Sequence, residues 1–244
     1  MQPAKNSQVQ LLPDIDWVEI PAGEFIYGEG KAQQTLRLEA FYLARYPVTN
    51  QQYQAFIDAG GYDDARWWLD VIKPEQQESQ WPQANRPRTD VDWYESITFC
   101  RWLSAQLGYE IRLPTEQQWE KAARGPDGQE YPWGNYLAGY ANVNDKSQGG
   151  DLAQTTAVGM YPHGASPYGV EDMAGNVWEW CLNKYEKPED TNIDQTGDGR
   201  VLRGGSWIYD PADARAAYRS WYDPDNRYYD IGFRLLSSLP YSDL

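Results

Sequence analysis

The chain has 244 residues, 41% of them hydrophobic and 15% aromatic, enough apolar material for a substantial core and too much aromatic content for a disordered chain. Its 36 acidic residues outnumber 21 basic ones, and the formal net charge of -15 disfavours nucleic acid and anionic lipid as partners. No apolar run approaches the roughly 18 residues of a membrane span, and the polar start from Met1 to Lys5 lacks the apolar stretch of a signal peptide. The expectation is a cytoplasmic monomer as written, with no membrane insertion and any surface display left to another component.

Residues 1–14 read as a polar arm ahead of a domain over 15–244. Trp17 to Tyr27 alternates around Pro21-Ala22-Gly23 and reads as a hairpin. Leu36, Leu38, Ala40 and Tyr42 fall on one face at period two, which predicts a strand. Thr49 with Gln52 forms a capping box, Tyr53, Phe56 and Ile57 supply an apolar stripe, and Gly60-Gly61 stops the helix. Residues 62–90 carry Trp67, Trp68, Trp81, Pro74, Pro82 and Pro87 and read as irregular but anchored by aromatic rings. Asp92 with Glu95 opens a second helix, with Trp93, Ile97, Cys100 and Leu103 at helical spacing and Gly108 at its end. Thr115 with Gln118 opens a third over 116–124, closed by Gly125. Beyond it Gly, Pro, Asn and Asp recur every few residues, the composition of a loop-rich half threaded by short strands. With no repeat and no linker, the chain reads as one α+β domain.

Cys100 and Cys181 form no CxxC pair and read as two buried thiols of a reducing compartment, with one disulfide between them as the alternative. His163 is the only histidine, so a His/Cys zinc site is excluded, and no nucleophile motif accompanies it.

Four segments stand out in order. They are Arg112-Leu113-Pro114-Thr115-Glu116-Gln117-Gln118-Trp119-Glu120, Tyr131-Pro132-Trp133-Gly134-Asn135, Asp172-Met173-Ala174-Gly175-Asn176-Val177-Trp178-Glu179-Trp180, and Arg203-Gly204-Gly205-Ser206-Trp207 closing with Gly232-Phe233-Arg234. Together they resemble the formylglycine-generating-enzyme/sulfatase-modifying-factor family, over about residues 17–236. The resemblance implies a C-type-lectin-like fold, loop-rich, with two or three helices around small twisted antiparallel sheets.

Enzymes of that family oxidise a cysteine with two copper-binding active-site cysteines that lie just after the RGGS segment. Here Tyr209 and Ala214 fall at those positions. Neither supplies the thiolate that Cu(I) demands, so no copper and no catalysis of this type is expected. The family's calcium site would fall on Asp172, Gly175, Val177 and Glu179, carboxylates and carbonyls suited to a hard cation; Glu179 and Asn176 could equally hydrogen-bond the loops around Trp178 and Trp180. A second calcium site would involve Asn142 and Val143, with Asp151 near.

The tail over 201–234 resembles the variable region of proteins diversified by retroelements, which use the same fold. In those systems template adenines are randomised, and NNC codons reach Ile, Tyr, Asp, Ser and Ala but not Trp. Ile208, Tyr209, Asp210, Ala212, Asp213, Tyr218, Ser220, Trp221, Tyr222, Asp223, Tyr228, Tyr229 and Asp230 sit between segments that read as fixed frame, and are the candidate ligand-binding residues. Residues 207–229 hold seven aromatics interleaved with Asp and with Arg215, Arg219 and Arg227, which predicts a shallow, aromatic, mixed-charge surface for a protein ligand. Trp207 reads as core and Tyr222, Tyr228 and Tyr229 as surface. The alternative is an oxidase or hydroxylase of the wider family with an altered metal site.

Overall fold

The computed structural model describes residues 12–149 and 152–238. In chain order the elements are β1 (Trp17–Ile20), β2 (Gly23–Tyr27), β3 (Gln34–Leu38), β4 (Phe41–Ala44), α1 (Asn50–Asp58), α2 (Trp93–Leu107), β5 (Ile111–Arg112), α3 (Glu116–Arg124), β6 (Trp178–Lys184), β7 (Arg200–Arg203), β8 (Arg219–Tyr222), β9 (Ile231–Gly232) and β10 (Leu236–Ser237). The strands make a four-stranded sheet ordered β1-β4-β10-β5, a two-stranded β2-β3 ribbon, and a second four-stranded sheet ordered β8-β7-β6-β9.

All three helices begin where their capping boxes predict. Thr49, Asp92 and Thr115 each accept from the third residue on, whose side chain returns to the cap's own N–H. Gly108 closes α2 in the left-handed region at φ 80°, where a glycine has no Cβ to strain.

Two strand expectations are corrected. Trp17 to Tyr27 is not a hairpin: β1 pairs with β4, Trp17 opposite Ala44, while β2 pairs with β3, Gly23 opposite Leu38. β4 buries Phe41, Leu43 and Ala44 beside Val18 and Ile20, so the remote partner covers more apolar surface than the adjacent strand would. The strand expected over Leu36, Leu38, Ala40 and Tyr42 breaks at the exposed Glu39-Ala40, where the chain crosses from β3 in one sheet to β4 in another. The arm expected over 1–14 lies largely outside the described residues; at its end the Asp14 carbonyl accepts from Gln52 Nε2 at 2.8 Å.

The β8-β7-β6-β9 sheet separates two apolar clusters, because alternate side chains of a strand leave opposite faces. Trp178, Trp180, Leu182 and Leu202 pack toward α1 and α2 with Trp93, Phe99 and Phe233. Cys181 and Val201 pack toward α3 with Trp119 and Ala122. Cys100 and Cys181 are both buried and unpaired, one in each cluster, and burial pushes both thiols up. No helix among the described residues is long and apolar enough to cross a membrane.

Candidate functional site: the C-terminal aromatic face

The frame of the tail is built inward from the RGGSW segment. Arg203 is fully buried at the end of β7, where its guanidinium meets Glu120 and the Ala216 carbonyl, the latter at 2.8 Å. Gly204 and Gly205 follow at φ 96° and 71°. A Cβ on Gly205 would lie 3.0–3.1 Å from Ala214, so glycine lets the 205–214 loop fold back on itself. Ser206 donates to Asp230 at 2.7 Å, Trp207 N–H to the Asn176 carbonyl at 3.2 Å, and Tyr131 to the Pro211 carbonyl at 3.1 Å. The 223–230 loop rests on the start of α2: the Pro224 carbonyl accepts from Trp93 N–H at 3.0 Å and the Tyr228 carbonyl from Asp90 N–H at 3.1 Å.

The candidate ligand-binding residues divide between several places. Ile208, Asp210, Ala212, Trp221, Asp223 and Tyr228 are exposed, while Tyr209, Asp213, Tyr218, Ser220, Tyr222 and Tyr229 are half-buried. Asp230, 7% exposed, is turned inward to Ser206, and burial raises its carboxyl. Tyr209 and Tyr218 both lean on the Trp178 ring, with centroids 5.5 and 6.0 Å away, and Tyr222 stacks obliquely on Tyr228 at 4.9 Å. Burial, then the neighbouring Tyr222 hydroxyl, pushes the Tyr209 phenol up; burial and the Asp213 carboxylate do the same to Tyr218. Tyr209, Tyr218, Tyr222 and Tyr228 therefore form one linked aromatic patch with Trp178 as its floor.

Trp221 is not part of that patch. In β8, Tyr222 lies opposite Arg200 and Ser220 opposite Leu202, on the α2 face, whereas Trp221 lies opposite Val201 and Arg219 opposite Arg203, on the α3 face. There Trp221 packs on Tyr185 at 6.0 Å and closes over Gly199, where a Cβ would lie 2.5 Å from the indole. Tyr229 joins a third group with Trp81 and Trp207, centroids 5.5–5.9 Å apart. Trp207 is buried there, as expected of core. Sequence reasoning missed Trp178 and Trp81 as parts of this surface; the only signal was the density of tryptophan around each.

Both signs of charge reach this face, but its arginines are paired and several of its aspartates are not. Each arginine of the 207–230 segment is ion-paired within the chain: Arg215 with the exposed Glu29 at 3.3 Å, Arg219 with both oxygens of Glu116 at 2.9 Å, and Arg227 with Glu95 at 2.9 Å and Asp92 at 3.5 Å. Asp210, Asp223 and Asp225 are exposed and make no ion pair among the described residues.

Of the calcium candidates, Glu179 is fully buried and both its oxygens are taken. Arg234 Nε and Nη2 donate to Oε2 and Oε1 at 2.6 Å each, and Trp119 Nε1 donates to Oε2 at 2.6 Å. The Arg234 Nη2 also donates to the Asp172 carbonyl at 3.2 Å. Asp172 accepts from Gly159 N–H at 2.7 Å, the Gly175 carbonyl accepts from Val177 N–H at 2.9 Å, and Asn176 N–H donates to the Asn142 carbonyl at 2.8 Å. A guanidinium thus supplies the positive charge, and Asp172, Gly175, Val177 and Glu179 as arranged do not fit a calcium shell. Asp151 lies outside the described residues. Among the described residues no group of three or more His, Cys, Asp or Glu is placed to hold a metal ion. Tyr209 and Ala214, which the family resemblance aligns with its cysteine positions, are half-buried and buried respectively.

Residues 3–239 match the model of the sulfatase-modifying factor enzyme 1-like domain. Hercynine oxygenase of Mycolicibacterium smegmatis is 33% identical over 89% of this chain and 60% of its own length, and inactive C-alpha-formylglycine-generating enzyme 2 of Bos taurus is 30% identical over 91% and 88%. This chain spans only half to three-fifths of the hercynine oxygenases it matches. Among solved structures, Treponema denticola variable protein 1 superposes with a TM-score of 0.70 at 25% identity, covering 91% of this chain and 95% of that one. The α+β, C-type-lectin-like fold and the motif order agree with these matches, and the chain belongs to the sulfatase-modifying factor enzyme 1-like family.

Proposed function

We propose that this chain is a non-catalytic binding module, a variable protein of a diversity-generating retroelement that displays Tyr209, Tyr218, Tyr222 and Tyr228 to a protein ligand. The observation that carries this reading is the split in burial along the tail. Of the frame residues, Arg203, Ser206, Trp207, Ala214, Ala216, Ala217, Pro224, Ile231, Phe233 and Arg234 are buried, Pro211, Arg215, Arg219, Asn226 and Arg227 are half-buried and Asp225 is exposed, whereas of the interleaved positions only Asp230 is buried. A surface of this kind tolerates change at the displayed positions while the core stays constant. Rigid Tyr side chains on a packed floor give contact area at small entropic cost, which suits a protein partner. The likeness to Treponema denticola variable protein 1 supports the same reading.

Sequencing the genomic neighbourhood tests it. A reverse-transcriptase gene beside this one, with a near-copy of the 3′ end differing only at adenines, is the expected result. A locus with neither removes the retroelement part of the proposal.

The relatives named hercynine oxygenase and formylglycine-generating enzyme favour a second reading, an oxidase or hydroxylase with an altered metal site. That reading requires a ligand set other than paired cysteines. Stoichiometric iron or copper in the purified protein would establish it over the first.

A further inference from the structure

We infer that the ligand of the aromatic patch is a basic protein segment, rich in lysine or arginine. This rests on the binding-module reading and adds the chemistry of the partner to it. Every arginine of the 207–230 segment is already paired with a carboxylate of this chain: Arg215 with the exposed Glu29, Arg219 with the buried Glu116, and Arg227 with the buried Glu95 and Asp92. The aspartates that flank the patch are left over. Asp210 adjoins Tyr209, and Asp223 and Asp225 lie in the loop that joins Tyr222 to Tyr228; all three are exposed and without an ion pair among the described residues. Asp213 faces Tyr218 and Tyr209. The unpaired charge around the patch is of one sign, on a chain whose net charge is -15.

The rings favour the same partner. A phenol face attracts an ammonium or guanidinium through its quadrupole, and Tyr228 is 41% exposed. Aromatic faces rimmed by unpaired carboxylates therefore complement alternating apolar and cationic side chains, and repel an acidic surface. The Trp81, Trp207 and Tyr229 rings touch one another, with centroids 5.5–5.9 Å apart, so they leave no slot between them for a cation. Recognition falls to the Tyr209–Tyr228 patch and its rim.

The test uses the full chain and three labelled peptides of equal length and apolar content, one lysine-rich, one neutral and one glutamate-rich. Binding is followed by fluorescence anisotropy at low and high salt. The lysine-rich peptide should bind about tenfold tighter than the other two, and salt should weaken it. A variant carrying Asp210→Asn, Asp223→Asn and Asp225→Asn should lose about tenfold in affinity and most of the salt dependence. Tyr209→Ala with Tyr222→Ala, or Tyr228→Ala alone if that double variant does not fold, should likewise lose about tenfold in affinity for the lysine-rich peptide, and circular dichroism confirms that each variant is folded. No binding of the lysine-rich peptide, or unchanged affinity in the triple Asn variant, overturns the inference. A neutral peptide that binds as tightly, and is lost on Tyr228→Ala, sinks the basic partner but keeps the aromatic face. Lysine-rich binding that survives every tyrosine substitution sinks the aromatic face itself.

Discussion

Arg234 grips Glu179 through two parallel contacts of 2.6 Å, Nε to Oε2 and Nη2 to Oε1, with both side chains fully buried. The pair ties the chain's closing GFR segment to β6, and Trp119 of α3 adds a third bond to the same carboxylate. Removing one partner leaves the other charged in the interior. Glu179→Leu or Arg234→Met alone should lower the unfolding free energy by about 3–5 kcal/mol, read from urea denaturation. The double variant, Glu179→Leu with Arg234→Met, should cost less than the sum of the two singles. Additive losses would show that the two residues act independently.

The same guanidinium decides the response to calcium. Because Arg234 already neutralises Glu179, the thermal midpoint should be equal in chelator and in millimolar calcium. An ion present at about a hundred times its dissociation constant would add about 2.7 kcal/mol. A stabilisation of that order on adding calcium would restore Asp172, Gly175, Val177 and Glu179 as a metal site.

The aromatic patch should divide by its packing. Tyr228 is 41% exposed and packs on Tyr222 alone among the rings of the described residues, so Tyr228→Ala should cost only about 0.5 kcal/mol. Tyr209, Tyr218 and Tyr222 rest partly on the core beneath them, so each alanine change should cost about 1–2 kcal/mol. Thermal or urea unfolding of the single variants separates the two classes. Equal losses at all four positions would make the whole patch structural.

Two buried carboxylates, Asp92 and Glu95, share one guanidinium from Arg227 at the start of α2. Burial, and then the negative charge of Glu95, pushes the Asp92 carboxyl up to about 8. The folded state then holds a proton that the unfolded chain releases near pH ~4, so it binds more protons than the unfolded state between those values. Stability contributed by this group is present at low pH and is lost as pH rises from about 4 to about 8. The urea midpoint should fall over that window, and Asp92→Asn, which keeps the oxygen that caps α2, should flatten the fall. A variant with the same slope as the parent would remove Asp92 as its source.

Helix starts were legible because a capping box is a local code. Thr49 and Gln52, Asp92 and Glu95, and Thr115 and Gln118 each meet their partner three residues away. Strand pairing was not, because the partner of β1 lies more than twenty residues downstream and is chosen by how much apolar surface it covers. The pairing of the tail's arginines was not legible for a related reason. Arg219 looks like a surface arginine beside Trp221, and only the fold brings Glu116, 103 positions earlier, against it. The frame of the tail could be read from its glycines and buried Arg-Gly-Gly-Ser-Trp run; the side of the sheet taken by each displayed residue depends on the register of β7 with β8.

That register has a practical corollary. Along β8 the even positions, Ser220 and Tyr222, look toward the α2 side, where the aromatic patch lies, while the odd ones, Arg219 and Trp221, look toward α3. Substitutions at the even positions would therefore alter the aromatic patch and the core contact beneath it, whereas one at 219 would break the Glu116 pair and one at 221 would remove an exposed indole that covers Gly199 and Tyr185.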